Sequence, residues 1–479
     1  MKRISLIILS FVVLFGLVLR VWDLGDSPMW IDEIYTVNGA QAVLDNGYPI
    51  LDSGELYTNT FLSVYISAGI MKLVDVDPMN PWPLRLPAAI FGTLSIIALF
   101  IWVKKLFKRE DVALAAAFLM SFSYWEIAWS RQIRGYELCT FFAITACIFL
   151  YRYIESKRGR DAALLVLSLA VAAISHWVAL VFILPFAICI FFSHRFSHTP
   201  EISSVVLKWI SVTSLITFAT SIFIYQVTSP LGSGLKNMLG ESWLLICFAA
   251  VGIFLATRSK ESHRTSLILI SSTLASFSIM MFFTEPVYSR YLFAFIPVLF
   301  IYVAYGAINV FPVNASKAFS VGLLIIPSLF ICHFTPMSFY ELEKDSPQPD
   351  FKDVFSLIQD SIQPDDIVMS VYPVVQKVFL GNLNATGDRN FWLPLSIGSR
   401  NTERLKAKHK TDFYVNAPSI GDVSMIAKIA ETKNGFLIAD PATKKLLSMT
   451  SAGVDFLENS ELIYETNKYP YDGLWVYRF

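Results

Sequence analysis

About eleven stretches of this chain are apolar for long enough to cross a bilayer as helices, and that repetition constrains the fold more than any other feature. Lipid offers a backbone amide no partner, so each stretch must close its hydrogen bonds internally, which a helix of about 20 residues does. The runs fall near 4–22, 84–103, 112–130, 135–151, 162–179, 180–193, 203–225, 242–257, 266–283, 291–310 and 318–335. The sixth is short, and is expected either to tilt little or to begin inside the preceding loop, around Ser175, His176 and Trp177. The first follows Lys2 and Arg3 with no small-x-small site before Asp23, so the expectation is a retained anchor rather than a cleaved signal. Composition agrees: 55% of 479 residues are hydrophobic and 16% charged, too apolar for an ordinary soluble domain. Thirty-eight basic residues balance 38 acidic ones, which argues against nucleic acid as a partner.

Basic residues set the expected topology, because Lys and Arg gather on the cytoplasmic side of short loops. They cluster at 2–3, 104–109, 152–160, 195, 258–264 and 317, while the alternate loops carry Asp23, Asp26, Asp32, Glu33, Glu55, Asp75, Asp77 and Glu285. The expectation is a multi-pass protein of an inner or plasma membrane, with a cytoplasmic N-terminus and those acids outside. An odd number of crossings sends the last segment to the same outer face. From about 340 the apolar runs stop, and 340–479 reads as a soluble α/β domain following a transmembrane domain, 1–339. Its expected strands are 367–372, 411–416, 436–440 and 474–479, and its expected helices 351–363, 421–432 and 441–449. No glycine-rich nucleotide fingerprint occurs there; "GNLNATGDRN" is a loop. The sequons at Asn314 and Asn384 are of a kind that arises often by chance.

The long outer loop, 23–83, holds one shorter apolar stretch, 61–74, expected to lie in the interface or dock on the bundle. All five cysteines fall in apolar runs and read as small core residues, with no disulfide framework. The histidines show no metal-ligand spacing on one helix, and the pair Asp32 and Glu33 lacks a third ligand for a divalent cation, so neither metal nor cofactor is expected.

Charge at the outer mouths is the functional signal. "SPMWIDEIYT" sets Asp32 and Glu33 side by side after the first span, and "SRQIRGY" sets Arg131 and Arg134 on one helical face. Arg85 opens the second span, and Arg290 sits between Tyr288 and Tyr291 at the tenth. Each arginine alone could snorkel to headgroups or pair with a loop acid. Together they suit a phosphate held at the membrane boundary, since a guanidinium fork binds phosphate oxygens bidentately. A nearby carboxylate could then take the proton of an attacking hydroxyl or amine, giving a single, inverting displacement at a sugar's anomeric carbon. Trp30, Tyr35, Tyr57, Tyr136 and His176 are candidates to line the substrate cavity.

"RVWDLGDSPMWIDEIYT", "YTNTFLSVYISAGIMKLV", "LRLPAAIFG" and "SRQIRGY" together resemble the polytopic C-type glycosyltransferases, the group of dolichyl-phosphate-mannose protein mannosyltransferases and the lipid A aminoarabinose transferase. The resemblance implies a polyprenyl-phosphate sugar donor, an extracytoplasmic acceptor (protein, lipid or glycan) and hexosyl or pentosyl transfer. It places Asp32 at the catalytic acidic position, Glu33 at the neighbour that orients acceptor or helix, and Arg131 or Arg134 near the donor phosphate. Arg85 and Arg290 are weaker matches. "SRQIRGY" departs from the commoner Ala-Arg-Tyr-x-Arg form, which leaves open which arginine touches phosphate. Two other classes compete: a transporter or flippase of a lipid-linked or anionic substrate, and a non-catalytic scaffold. Transporters tend toward internal repeats and charges at mid-membrane. Here the charges cluster at one face, with Glu126 an acid placed inside a span.

Overall fold

The computed structural model describes residues 3–51, 54, 56–195, 243–259, 263–283, 289–310, 351–363, 365–370, 372–380, 392–394, 423–466 and 473–479. The expected spans 203–225 and 318–335, the strand 411–416, the loop "GNLNATGDRN", Asn314, Asn384 and Tyr288 lie outside the described residues. In chain order the helices are α1 (Arg3–Val21), α2 (Ile31–Asn46), α3 (Phe61–Leu73), α4 (Trp82–Phe107), α5 (Glu110–Phe122), α6 (Tyr124–Trp129), α7 (Tyr136–Ser156), α8 (Gly159–Ser175), α9 (Ile183–Arg195), α10 (Trp243–Arg258), α11 (His263–Phe283) and α12 (Ile296–Val310). Short 3-10 helices, Trp177–Phe182 and Ser289–Ala294, precede α9 and α12. Then follow α13 (Phe351–Ser361), β1 (Ile367–Ser370), α14 (Pro373–Leu380), β2 (Trp392–Pro394), α15 (Val423–Ala430), β3 (Gly435–Ala439), α16 (Pro441–Met449), α17 (Ser451–Asn459), β4 (Glu461–Thr466) and β5 (Leu474–Arg478).

Two compact units divide these elements. The first, 1–24, 59–62 and 85–345, is a helical bundle. Among the described residues α1, α4 and α7 are long and apolar enough to cross a membrane. α7 packs along α8, α1 along α5, and α12 against both α5 and α10. The α10–α12 seam is made by glycine: a Cβ on Gly252 would stand 1.9 Å from the Tyr302 carbonyl oxygen, and one on Gly306 2.1 Å from that of Phe248. Backbones that close gain dispersion and weak C–H contacts, which matter where lipid removes the hydrophobic incentive to associate.

The expected third span, 112–130, is not one helix. It breaks at Ser123, whose backbone is extended and whose hydroxyl accepts from the Glu126 N–H at 3.4 Å to start α6. Serine caps a new helix more readily than it sits inside an old one, because its hydroxyl offers the first free N–H a partner. A second break falls at His176, which ends α8 in extended backbone, in the region where the short sixth run was expected to begin.

The second unit joins 25–58 and 63–84 to 346–479. Its sheet has the order β2-β1-β3-β5-β4, with β1 parallel to β2 and β3, and β5 antiparallel to β3 and β4. β3 is buried along its whole length, as a strand covered on both faces must be, and its run "GFLIA" is accordingly continuously apolar but for the glycine. Met369, Leu437, Trp475 and Tyr477 pack with Ile426, Leu447 and Phe456 of α15, α16 and α17 on one face. α14 also packs on α2. α2 and α3 share a small core of Ala40, Leu51, Tyr57, Val64 and Ala68.

Candidate functional site

In the first unit, two arginines interlock the end of α1 with the segment from α5 to α7. Arg20, fully buried, donates from Nε to the Ser130 hydroxyl at 3.0 Å and from Nη1 to the carbonyls of Gly16 and Ser121, each at 3.1 Å. Its Nη2 donates to the Met120 carbonyl at 3.1 Å. The carbonyls of Met120 and Ser121 belong to the last turn of α5, where helix geometry leaves C=O groups without intrahelical partners and a cation is favoured. Ser130 in turn donates to the Glu126 carbonyl. In the reverse direction Arg131 donates to the carbonyls of Leu19 at 3.3 Å, Arg20 at 3.4 Å, Trp22 at 2.5 Å and Asp23 at 3.0 Å, closing the end of α1. Gly92 makes room for the lock, since a Cβ there would stand 2.3 Å from the Ser130 hydroxyl. Glu126 and Glu137, each 1% exposed, lie within the electrostatic reach of Arg20. Neither Glu126 carboxyl oxygen has a hydrogen-bond partner among the described residues.

Beside the lock is a buried aromatic cluster. Tyr136, 1% exposed at the start of α7, has its ring centre 4.6 Å from Trp129, 4.9 Å from His176 and 5.0 Å from Phe293. His176 lies 5.9 Å from Tyr291, which meets Trp177 at 5.3 Å. The His176 Nδ1 accepts from the Val178 N–H at 3.3 Å, which places the proton of a neutral imidazole on Nε2. The Arg134 guanidinium stands 5.6 Å from the Tyr136 ring centre, over its negative face. Four expected site residues, Arg134, Tyr136, His176 and Tyr291, thus come from three separate stretches of chain to one place.

In the second unit, Asp32 and Glu33 occupy the first turn of α2, where the helix dipole favours negative charge. Their neighbouring positions conceal different roles. Glu33 is fully buried, and its Oε2 accepts from the Trp30 N–H at 2.9 Å, so it holds the helix start. Asp32 is partly exposed, and its backbone carbonyl accepts from the Thr36 hydroxyl at 3.0 Å. Trp30, 1% exposed, is the residue preceding α2, and Tyr35 packs at the margin of the α2–α3 core.

Other expected site residues have structural partners. Tyr57, expected in the substrate cavity, is buried in the α2–α3 core against Gly39, where a Cβ would meet its ring at 3.1 Å. Arg85 is fully buried and donates from Nη1 to the Leu24 carbonyl at 3.0 Å; Arg131 directs both terminal nitrogens at backbone carbonyls. Each of these bonds closes a chain end, where carbonyls without intrahelical partners need donors. Arg290 lies in the second 3-10 helix. Arg20 and Glu137 were missed, although a cation in the last turn of an apolar span is a signal in itself, since such a charge persists only with partners. Among the described residues no three His, Cys, Asp or Glu side chains converge as metal ligands.

A family model, dolichyl-phosphate-mannose-protein mannosyltransferase, matches residues 59–224, about a third of the chain. No curated protein matches the sequence. Among solved structures, ArnT from Cupriavidus metallidurans superposes with a TM-score of 0.60 at 13% identity, over 98% of each chain, both in the apo state and bound to undecaprenyl phosphate. The oligosaccharyltransferase AglB from Archaeoglobus fulgidus, in complex with an inhibitory peptide and a dolichol-phosphate, gives a TM-score of 0.53 at 11% identity, covering 99% of this chain and 74% of that one. The chain therefore has the fold of the polytopic C-type glycosyltransferases.

Proposed function

We propose, from that fold as premise, that this protein is a membrane glycosyltransferase that takes a sugar from a polyprenyl-phosphate donor and places it on an extracytoplasmic acceptor. The observation that carries the reading is the convergence of Arg134 with Tyr136, His176 and Tyr291 in a buried aromatic setting. Aromatic walls exclude water, and in that medium a guanidinium stabilises phosphate charge far more than it would in bulk solvent. Arg134 is the donor-phosphate ligand in this reading, because Arg131 and Arg85 serve backbone carbonyls.

Asp32 is the base. The acceptor hydroxyl or amine gives its proton to the Asp32 carboxylate as its lone pair forms the bond to the anomeric carbon. The bond from that carbon to the phosphate oxygen breaks, and polyprenyl phosphate departs with the electron pair. A single displacement inverts the anomeric configuration. Glu33 acts through α2 rather than on the substrate. The alternating basic loops support an acceptor on the outer face, with the sugar a hexose or a pentose.

The test is release of free polyprenyl phosphate from a panel of polyprenyl-phosphate sugars by the purified protein. Release by wild type and its loss in Asp32→Asn are expected, and Arg134→Ala should weaken donor binding by about 1.5–3 kcal/mol, the range for a charge-assisted hydrogen bond. No release from any donor would return the transporter and scaffold readings to the front.

A further inference from the structure

The second unit contains a cavity of about 310 Å³ between α2, the segment 76–84 and α14. Most of its wall is aliphatic, from residues such as Met71 and Pro78, and its polar groups are Asn38, Gln41 and Asp45 of α2 with Lys377 of α14. Asn38 is 5% exposed, yet its carboxamide makes no hydrogen bond among the described residues. A carboxamide has two donors and a two-lone-pair acceptor, and at a sheltered cavity wall those groups are available to a ligand that can match them. Beside it, the Gln41 Nε2 donates to Asp45 Oδ1 at 2.9 Å, which aligns a second carboxamide at the cavity.

We propose that this cavity binds a neutral saccharide unit of the acceptor, a role that rests on the glycosyl-transfer reading above. A sugar hydroxyl both donates and accepts, as Asn38 and Gln41 do, while the C–H faces of a pyranose ring suit the aliphatic wall. Asp45 and Lys377 carry opposite charges, so the site selects neither an anion nor a cation. An alkyl chain would leave Asn38 unmatched. The volume is at the lower end of the range for small-molecule sites, roughly 300–1,000 Å³, enough for one ring and too small for a prenyl chain. Asn38 lies six positions after Asp32, about 9 Å along α2 and some 240° around it. The bound unit is therefore a recognition element of the acceptor and not its reacting end.

Saturation-transfer NMR on the full-length protein in detergent tests this, with neutral methyl hexopyranosides as probes and a methyl glucuronoside and a short alkanol as controls. The neutral glycosides should bind, the controls should not, and Asn38→Leu should weaken binding about tenfold. Should Asn38→Leu fail to fold, Gln41→Leu, at a less buried position, should show a loss in the same direction. Absence of glycoside binding by wild type, preference for the alkanol, or wild-type binding by a folded Asn38→Leu would each overturn the proposal. Because binding is read without donor, release of polyprenyl phosphate with no glycoside binding sinks the subsite alone. Glycoside binding without any release leaves a saccharide site and sinks the transfer reading.

Discussion

Arg20 and Arg131 show how a guanidinium in an apolar bundle can be structural, each closing a helix end through backbone carbonyls. Arg20 meets four oxygens, two of them at the end of α5. Arg20→Ala would leave those carbonyls unmatched, a loss of at least about 1–3 kcal/mol. Thermal unfolding in detergent should show it, and Arg20→Gln should recover only a minor part. At this scale the sequence was a partial guide. "SRQIRGY" marked the right segment, yet spacing alone could not say that Arg131 would turn to the carbonyls at the end of α1 while Arg134 turned to Tyr136. That choice depends on groups more than 100 residues away. Asp32 and Glu33 likewise look equivalent as text, and only burial and the bond to the Trp30 N–H separate them.

Elements were legible where one property dominated. Apolar length identified α1, α4 and α7, and β-branched or aromatic runs identified β1, β3 and β5. β4 went unseen because it is an edge strand whose residues are mostly exposed or half-buried, so "ELIYET" carries little of the pattern of a core strand. The α10–α12 seam makes a sharp prediction: Gly306→Val must push the helices apart, and by the cost of overpacking should destabilise the bundle by at least about 1–3 kcal/mol, read as a lower melting temperature. Another concerns the start of α5, where Arg109 pairs with Asp111 at 2.6 Å and also donates to the Asn309 side chain at 2.6 Å. Burial alone would push the Asp111 carboxyl up, but the hydrogen bonds and charge of Arg109 outweigh it and hold the carboxyl below its ordinary value of 3.8. The folded state thus favours the ionised acid. The pair's contribution is complete above that ordinary value and disappears as pH falls through the depressed one. Melting temperature against pH should lose that acid-side step in Asp111→Asn.

At the scale of the molecule, residues 346–479, α2 and most of α3 belong to one unit, a grouping that hydropathy could not anticipate because it ranks segments by greasiness and says nothing of tertiary partners. α14 supplies α2 with a packing partner and Lys377 to the cavity wall. Deleting 346–479 should therefore strip α2, and limited proteolysis should cut within 25–84 in the truncated protein under conditions where the full chain resists. The mutual lock of α1 with the α5–α7 segment carries a consequence for biogenesis. Arg20 reaches its oxygens on Met120, Ser121 and Ser130 only after another 100 to 110 residues have been made. At synthesis rates of about 5–20 residues per second, α1 waits roughly 5–20 seconds in the translocon's vicinity with a cation matched only by the Gly16 carbonyl of its own helix. Its retention during that interval falls to the insertion machinery, so slowing translation just before codon 120 should expose this nascent chain to quality control more than a pause after codon 131.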